Sequence, residues 1–340
     1  MRPSTGRGEV MVDDSKLRAP FPYFGGKRRA APIIWDALGD PAGYVEPFAG
    51  SLAVLLARPA FAGRRVETVN DLDGWLVNTW RAIQLDPYGV AAHAWGPVTE
   101  IDYHARLAWL QERRGDDLVS WLEGDPEAHD VKAAGWWLYV MACGIGDPFG
   151  RRGPWVVADE RLVKASPGQG VSRELPHLGD AGQGINSRLP LYGECESAEP
   201  HSGGVRALVS YLDRLAVRLQ RVRITCGSWE RVVKPSSRRA GAGGDGARAV
   251  FLDPPYTTSP DLYSTGGDGV SAAVQSWCLS APPELRVVLA GYAGEHDWLE
   301  LAGWRVVQGR SGGGAGYSTD AAAGRRERLW MSPACLGGEE

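Results

Sequence analysis

Short apolar runs that end in turn-forming residues recur along this chain, and helical spacing often follows them. GYVEPFAGS (43–51) reads as a strand running into a glycine-containing turn, and LAVLLARPA continues at helical spacing. RRVETVNDLD (64–73) reads as a second strand with a polar end. GWLVNTWRAIQ follows, apolar at Trp75, Leu76, Thr79–Trp80 and Ile83, as in an amphipathic helix. This β-turn-α-β-α run is the pattern of a parallel sheet covered by helices. The rhythm lapses from about 88 to 205, where YHARLAWLQERR and VKAAGWWLYVMAC are helical. Residues 144–204 are rich in Gly, Pro, Ser and polar residues without sustained periodicity, which suits a binding region better than packed structure.

The rhythm returns with the helix GGVRALVSYLDRLAVRLQRV and the strands RITCG, AVFLDPPY, LRVVLAGY, WRVVQGR and RERLWMSP. SSRRAGAGGDGARA (236–249) reads as a surface loop, and no internal repeat is found. The expected fold is α/β, a Rossmann-like sheet with helices on both faces, carrying an inserted, mainly helical and loop region. The division predicted is a flexible leader over 1–19, a catalytic domain from 20–90 and 205–335, and the insertion 91–204.

One stretch asks for chemistry. In VFLDPPYTTS (250–259) Val250, Phe251 and Leu252 read as the end of a buried strand. Asp253 then stands at its carboxyl end, and Pro254 and Pro255 stop further ladder pairing. Open α/β sheets bind ligands at that edge. Two further signals lie at strand ends. Glu46-Pro-Phe-Ala-Gly-Ser51 is a glycine turn that lets a ligand approach the backbone closely. About twenty residues later, Asn70-Asp71-Leu72-Asp73 offers an acid where nucleotide-binding folds hold ribose hydroxyls. Helix capping is the alternative for Asp71 and Asp73.

Composition narrows the picture modestly. The 340 residues can bury a sizeable core, and no apolar run approaches the about eighteen residues of a membrane span. The start MRPSTGRGEVMVDDSKLRAP lacks a signal-peptide core, so a cytoplasmic protein is expected. Five scattered cysteines with no CxxC pair support neither a disulfide frame nor a zinc site. The net charge of −4 excludes a strongly cationic protein, yet nucleic-acid binding needs only a local basic face.

Taken together and in this order, the motifs resemble the adenine-specific DNA methyltransferase family of the Dam type. The resemblance begins at Pro22-Tyr23-Phe24-Gly25-Gly26-Lys27, which is similar to that family's xYxGGK element. It continues through YVEPFAGSLAVLL, VNDLDGWLVNTWRAI, ITCGSWERVV, VFLDPPY and LAGY to RRERLWMSP, covering residues 22–90 and 205–332. It implies S-adenosylmethionine as cofactor and a flipped-out adenine in duplex DNA as substrate. Asp253 and the Pro254 carbonyl oxygen would accept hydrogen bonds from the N6 amine, and Tyr256 would stack on the base. Tyr23, Gly26, Lys27, Glu46, Phe48, Gly50, Asp71, Trp229 and Asp253 would form the cofactor site. Within it Lys27 would pair the cofactor carboxylate, Asp71 would hold the ribose and Trp229 would lie beside the cofactor adenine; Asp73 would be a helix cap.

The insertion occupies the family's target-recognition position. Arg151 and Arg152 in PFGRRGPW, and Asn186 and Arg188 in INSRLPLYG, are its candidate DNA contacts. GRSGGGAGYSTDAAAGRRER (309–328) lies where the family carries a hairpin that reaches the duplex, with Tyr317 and Arg325 as candidates. A restriction enzyme as functional partner and a prokaryotic or phage host fit the resemblance. Two positions depart from it. Leu52 stands where many members have a second glycine or alanine and is expected to narrow the turn. Ser228 replaces a carboxylate near the cofactor's adenine. Cytosine N4, adenine in RNA, and a relative without turnover are the alternatives; DPPY alone recognises an amine on a conjugated ring.

Overall fold

A computed structural model describes residues 17–23, 26–61, 63–113, 116–125, 127–144, 148–149, 155–158, 161–164, 203–235, 243–255, 269–309 and 326–337. Among them, β1 (Gly43–Glu46), β2 (Val66–Asp71), β5 (Val222–Cys226), β6 (Arg248–Leu252), β7 (Arg286–Tyr292), β8 (Arg305–Gln308) and β9 (Glu327–Met331) form one seven-stranded sheet. Its spatial order is β5-β2-β1-β6-β7-β9-β8. The pairings β5–β2, β2–β1, β1–β6 and β6–β7 are parallel, and β9 runs antiparallel between β7 and β8. All seven strands lie on the segments that the sequence marks as strands, and the α/β, Rossmann-like class is what the chain adopts.

Strand alternation explains how the sheet is buried on both sides. Tyr44, Phe251, Val288 and Ala290 enter one core, while Val45, Val250, Leu252, Val287 and Leu289 enter the other. The larger core also takes in α1 (Ala31–Leu38), α2 (Ala53–Leu56), α3 (Gly74–Leu85) and α8 (Gly203–Leu219), whose Leu208, Tyr211, Leu212, Leu215 and Leu219 recur at helical spacing. The second core is closed by Val232 and Val233 of α9 (Glu230–Val233), Val274 and Cys278 of α10 (Val270–Leu279) and Leu299 of α11 (Trp298–Leu301). Each such side chain contributes about 1.5–3 kcal/mol on burial.

The stretch after α3 is more helical than its patterning suggests. It folds as α4 (Pro87–Ala94), α5 (Glu100–Glu112), α6 (Asp116–Gly124) and α7 (Val131–Cys143). α5 and α7 lie on the two segments read as helical, and α4 and α6 are added to them; α4 packs closely on α7, where a Cβ at Gly135 would come within 2.7 Å of the Val90 carbonyl oxygen. Val90, Ala91, Ala134, Leu138 and Val140 are all fully buried in the larger core. A two-stranded antiparallel ladder, β3 (Trp155–Ala158) with β4 (Arg161–Lys164), lies inside the segment that showed no periodicity. Leu17 and Arg18, placed at the end of the expected leader, are packed on the body: Leu17 is buried and the Tyr211 hydroxyl bonds both the amide and the carbonyl of Arg18, while residues 1–16 lie outside the described residues. None of the described helices is long and apolar enough to cross a membrane.

Candidate functional site

Chain order fixes where a site can form. From β1 the chain crosses to β2 and β5 on one side, then returns to place β6 and β7 on the other. The connections after β1 and β6 therefore diverge, which opens a crevice at the carboxyl ends of these adjacent strands. The glycine turn leaves β1 and Asp253-Pro-Pro leaves β6, so the two strongest motifs flank the same crevice.

The turn is fixed from several directions. Gly50 has φ +47°, and a Cβ there would lie 2.9 Å from Cε1 of Tyr23, so both backbone conformation and contact require glycine. The Gly50 amide donates to Oδ2 of Asp71 at 2.9 Å, and its carbonyl accepts from the Trp80 indole at 3.0 Å. Oδ1 of Asp71 accepts from the Asp73 amide at 3.0 Å. Burial is the main cause that pushes the Asp71 carboxyl up to about 6, against these amide bonds. Asp73 caps α3, accepting from the amides of Trp75 and Leu76 at 2.9 and 3.4 Å.

Asn70, quoted in the motif but given no role there, proves to be the clamp beneath the crevice. It is fully buried, and its Nδ2 donates to the carbonyls of Pro47 and Gly227 at 3.1 and 2.9 Å. Its Oδ1 accepts from the Thr225 hydroxyl at 2.9 Å. One amide side chain thus ties the ends of β1, β2 and β5 together. A polar residue inside an otherwise buried strand was the available signal.

Phe48 and Trp229 stack at 6.0 Å with their planes 30° apart, and Trp277 meets Trp229 edge-on at 6.3 Å. These rings form an apolar wall between the turn and β5. Leu52 does not narrow the turn with its side chain, contrary to expectation. Its backbone takes the left-handed conformation at φ +53° while the side chain is fully buried in the larger core. Ser228 is exposed, and its hydroxyl donates to Glu230 at 3.1 Å.

Across the crevice, the Lys27 ammonium lies 2.9 Å from Oδ2 of Asp253 and 3.2 Å from Oε1 of Glu327, with Lys27 and Glu327 both buried. Lys27 is held just before α1, where its carbonyl accepts from the amides of Ala30 and Ala31 at 3.0 and 2.8 Å. Glu327 opens β9 opposite Tyr292, the last residue of β7. Sequence reasoning missed Glu327; an acid beginning a strand whose remaining residues are largely buried was the signal. Glu46 is buried beside this group, takes a hydrogen bond from the Tyr44 hydroxyl at 2.9 Å, and is pushed up to about 8, chiefly by burial and further by the nearby Asp253 charge.

The structure thus gathers Tyr23, Gly26, Lys27, Glu46, Phe48, Gly50, Asp71, Trp229, Asp253 and Pro254 at or near the strand ends around one crevice. Tyr256, Arg151, Arg152, Asn186, Arg188, Tyr317 and Arg325 lie outside the described residues. No curated protein matches the chain. Residues 23–103 match the model of a family described as D12 class N6 adenine-specific DNA methyltransferase. The match spans the glycine turn, Asp71 and Asn70, and it agrees with the resemblance drawn from the motifs: over this stretch the chain is similar to DNA methyltransferases of the D12, N6-adenine-specific class.

Proposed function

We propose that the protein transfers a methyl group from S-adenosylmethionine to the N6 amine of an adenine turned out of duplex DNA, at a specific short site. The observation that carries this reading is the adjacency of Asp253 to the glycine turn across the switch point of the sheet. The residues present fit the cofactor. Gly50 leaves the backbone approachable, and Phe48 with Trp229 offers a flat apolar wall for a purine. Oδ2 and Oδ1 of Asp71 accept from the Gly50 and Asp73 amides, and a carboxylate oxygen has two lone pairs, so ribose hydroxyls can be accepted alongside. When bound, the cofactor supplies a methyl group activated by its sulfonium.

Asp253 and the Pro254 carbonyl oxygen then serve as acceptors for the two amine hydrogens. They favour a pyramidal nitrogen and stabilise the positive charge that develops as its lone pair forms the N–CH3 bond. The S–CH3 pair leaves with sulfur, and the extra amine proton passes to water afterwards. Rate also comes from holding donor and acceptor in line. Tyr256 stacks on the extruded base and replaces part of the stacking lost in the duplex. The insertion 91–204 and the 309–328 segment carry the DNA contacts that select the site.

The test is incubation of defined duplexes with labelled S-adenosylmethionine, digestion to nucleosides and separation of the products. N6-methyladenine is expected; N4-methylcytosine in its place would reassign the substrate. Asp253→Ala should abolish transfer while calorimetry still detects cofactor binding. Loss of both together would give Asp253 to the cofactor or the fold rather than to the chemistry.

A further inference from the structure

The Lys27–Asp253–Glu327 cluster contains one ammonium and two carboxylates, with Lys27 at 4% and Glu327 at 2% exposure and Asp253 at 19%. A buried lysine needs a counter-charge, and one acid would suffice for neutrality. The second acid leaves the cluster formally at −1. Charge so close to an amine that becomes cationic during the reaction is worth more in a water-poor crevice than in solvent. With Asp253 as the sole partner, Lys27 would spend its attraction on the same oxygens that must accept the amine hydrogens. Glu327 divides that attraction.

Geometry supports a built arrangement. β6 and β9 are separated in the sheet by β7, so Asp253 and Glu327 lie two strand spacings apart, about 10 Å between backbones. Lys27 enters from the loop before α1 and reaches both acids with a single side chain. Glu46 from β1 and Tyr292 from β7 lie near the cluster; the Tyr292 hydroxyl is pushed up by burial first, and feels the charges of Arg326, Lys27, Glu327 and Glu295.

We propose that Glu327 is a positioning residue for the transfer: it shares the Lys27 ammonium with Asp253, and so keeps the Asp253 carboxylate both aimed into the crevice and strong enough as an acceptor for the incoming amine. The inference rests on the proposed methyl transfer and assigns it a residue outside the DPPY and glycine-turn motifs.

The experiment compares wild type with Glu327→Gln and Glu327→Asp by single-turnover methyl transfer, by calorimetry with S-adenosylmethionine, and by thermal unfolding without cofactor. E327Q should lower the transfer rate constant about tenfold or more, with the cofactor Kd within about threefold of wild type. E327D, which keeps the charge on a shorter arm, should recover part of the rate. Without cofactor, Lys27→Met should destabilise the protein more than Lys27→Met with Glu327→Gln, because the double variant no longer opposes two buried acids. An E327Q rate equal to wild type would overturn the role. So would parallel loss of rate, cofactor affinity and melting temperature with no recovery in E327D, which describes a merely structural acid. A wild-type protein that methylates no DNA amine would overturn the proposed function and this role with it; an active wild type indifferent to E327Q overturns the role alone.

Discussion

Replacing Asp71 by Asn separates the cost of a buried charge from its use. The folded carboxyl is pushed from 3.8 to about 6, mainly by burial. An acid with a raised folded value favours the folded state below about 3.8 and loses that advantage as pH rises through about 6. A difference of about 2.2 corresponds to about 3 kcal/mol at pH 8, and to about 1 kcal/mol at pH 4.5, where little of the folded form is ionised. Asn keeps the shape and resembles the protonated acid. Asp71→Asn should therefore stabilise the cofactor-free protein, with a gain that grows by about 2 kcal/mol between pH 4.5 and pH 8. Urea unfolding at the two pH values measures this, and taking the difference between variants cancels other titrating groups. Binding should move the opposite way. Loss of a charged acceptor for ribose hydroxyls is worth about 1.5–3 kcal/mol, or about 10- to 150-fold in the Kd for S-adenosylmethionine. A stability difference that is flat with pH would refute the buried-charge reasoning. An unchanged Kd would return Asp71 to holding the Gly50 turn alone.

Asn70→Ala removes the bonds to Pro47, Gly227 and Thr225 at once and should cost about 2–4 kcal/mol in chemical unfolding, with weaker cofactor binding because three strand ends lose their common tie. Gly50→Ala sets a methyl group 2.9 Å from the Tyr23 ring at φ +47°; about 1–3 kcal/mol of lost stability and a raised cofactor Kd are expected, measured by melting and calorimetry. Wild-type stability should fall as pH rises towards and through about 8, where the folded Glu46 carboxyl ionises, and Glu46→Gln should remove that part of the slope in urea titrations.

The sheet was legible because its strands alternate between two cores, so that Phe251 and its neighbours Val250 and Leu252 each find an apolar face. The site was legible where function demands a local device. Gly50 needs its positive φ, and Asp253 needs a strand end followed by prolines. Asp73 declared itself as a cap by its place before an apolar helix. What escaped depends on partners distant in sequence. Asn70 looks like the polar end of a strand until Gly227 and Thr225 arrive beside it from β5. Glu327 looks like one charge among several in RRER until Lys27 reaches it from the other end of the chain. Leu52 misled for a different reason: its backbone behaves as the glycine would, at a strain of about 1 kcal/mol, while the side chain turns inward and recovers that by burial.

On the proposed methyl transfer, the charges around the crevice bear on how a base and its backbone would be treated differently. With the Glu46 carboxyl pushed up to about 8 and mostly protonated at neutral pH, the charges at the strand ends among the described residues include Asp71, Asp253 and Glu327 against Lys27, with Arg326 over the Tyr292 ring. That balance is negative. It suits a sulfonium donor and an amine turning cationic, and it repels phosphate. A neutral base can enter such a crevice only if its own phosphates are held elsewhere, and the chain as a whole, at −4, offers no diffuse positive field to hold them. On the proposed function, the grip on DNA must then come from local basic loops, with affinity expected to decline steeply as salt rises, while methyl transfer would proceed in a pocket whose sign opposes the nucleic acid.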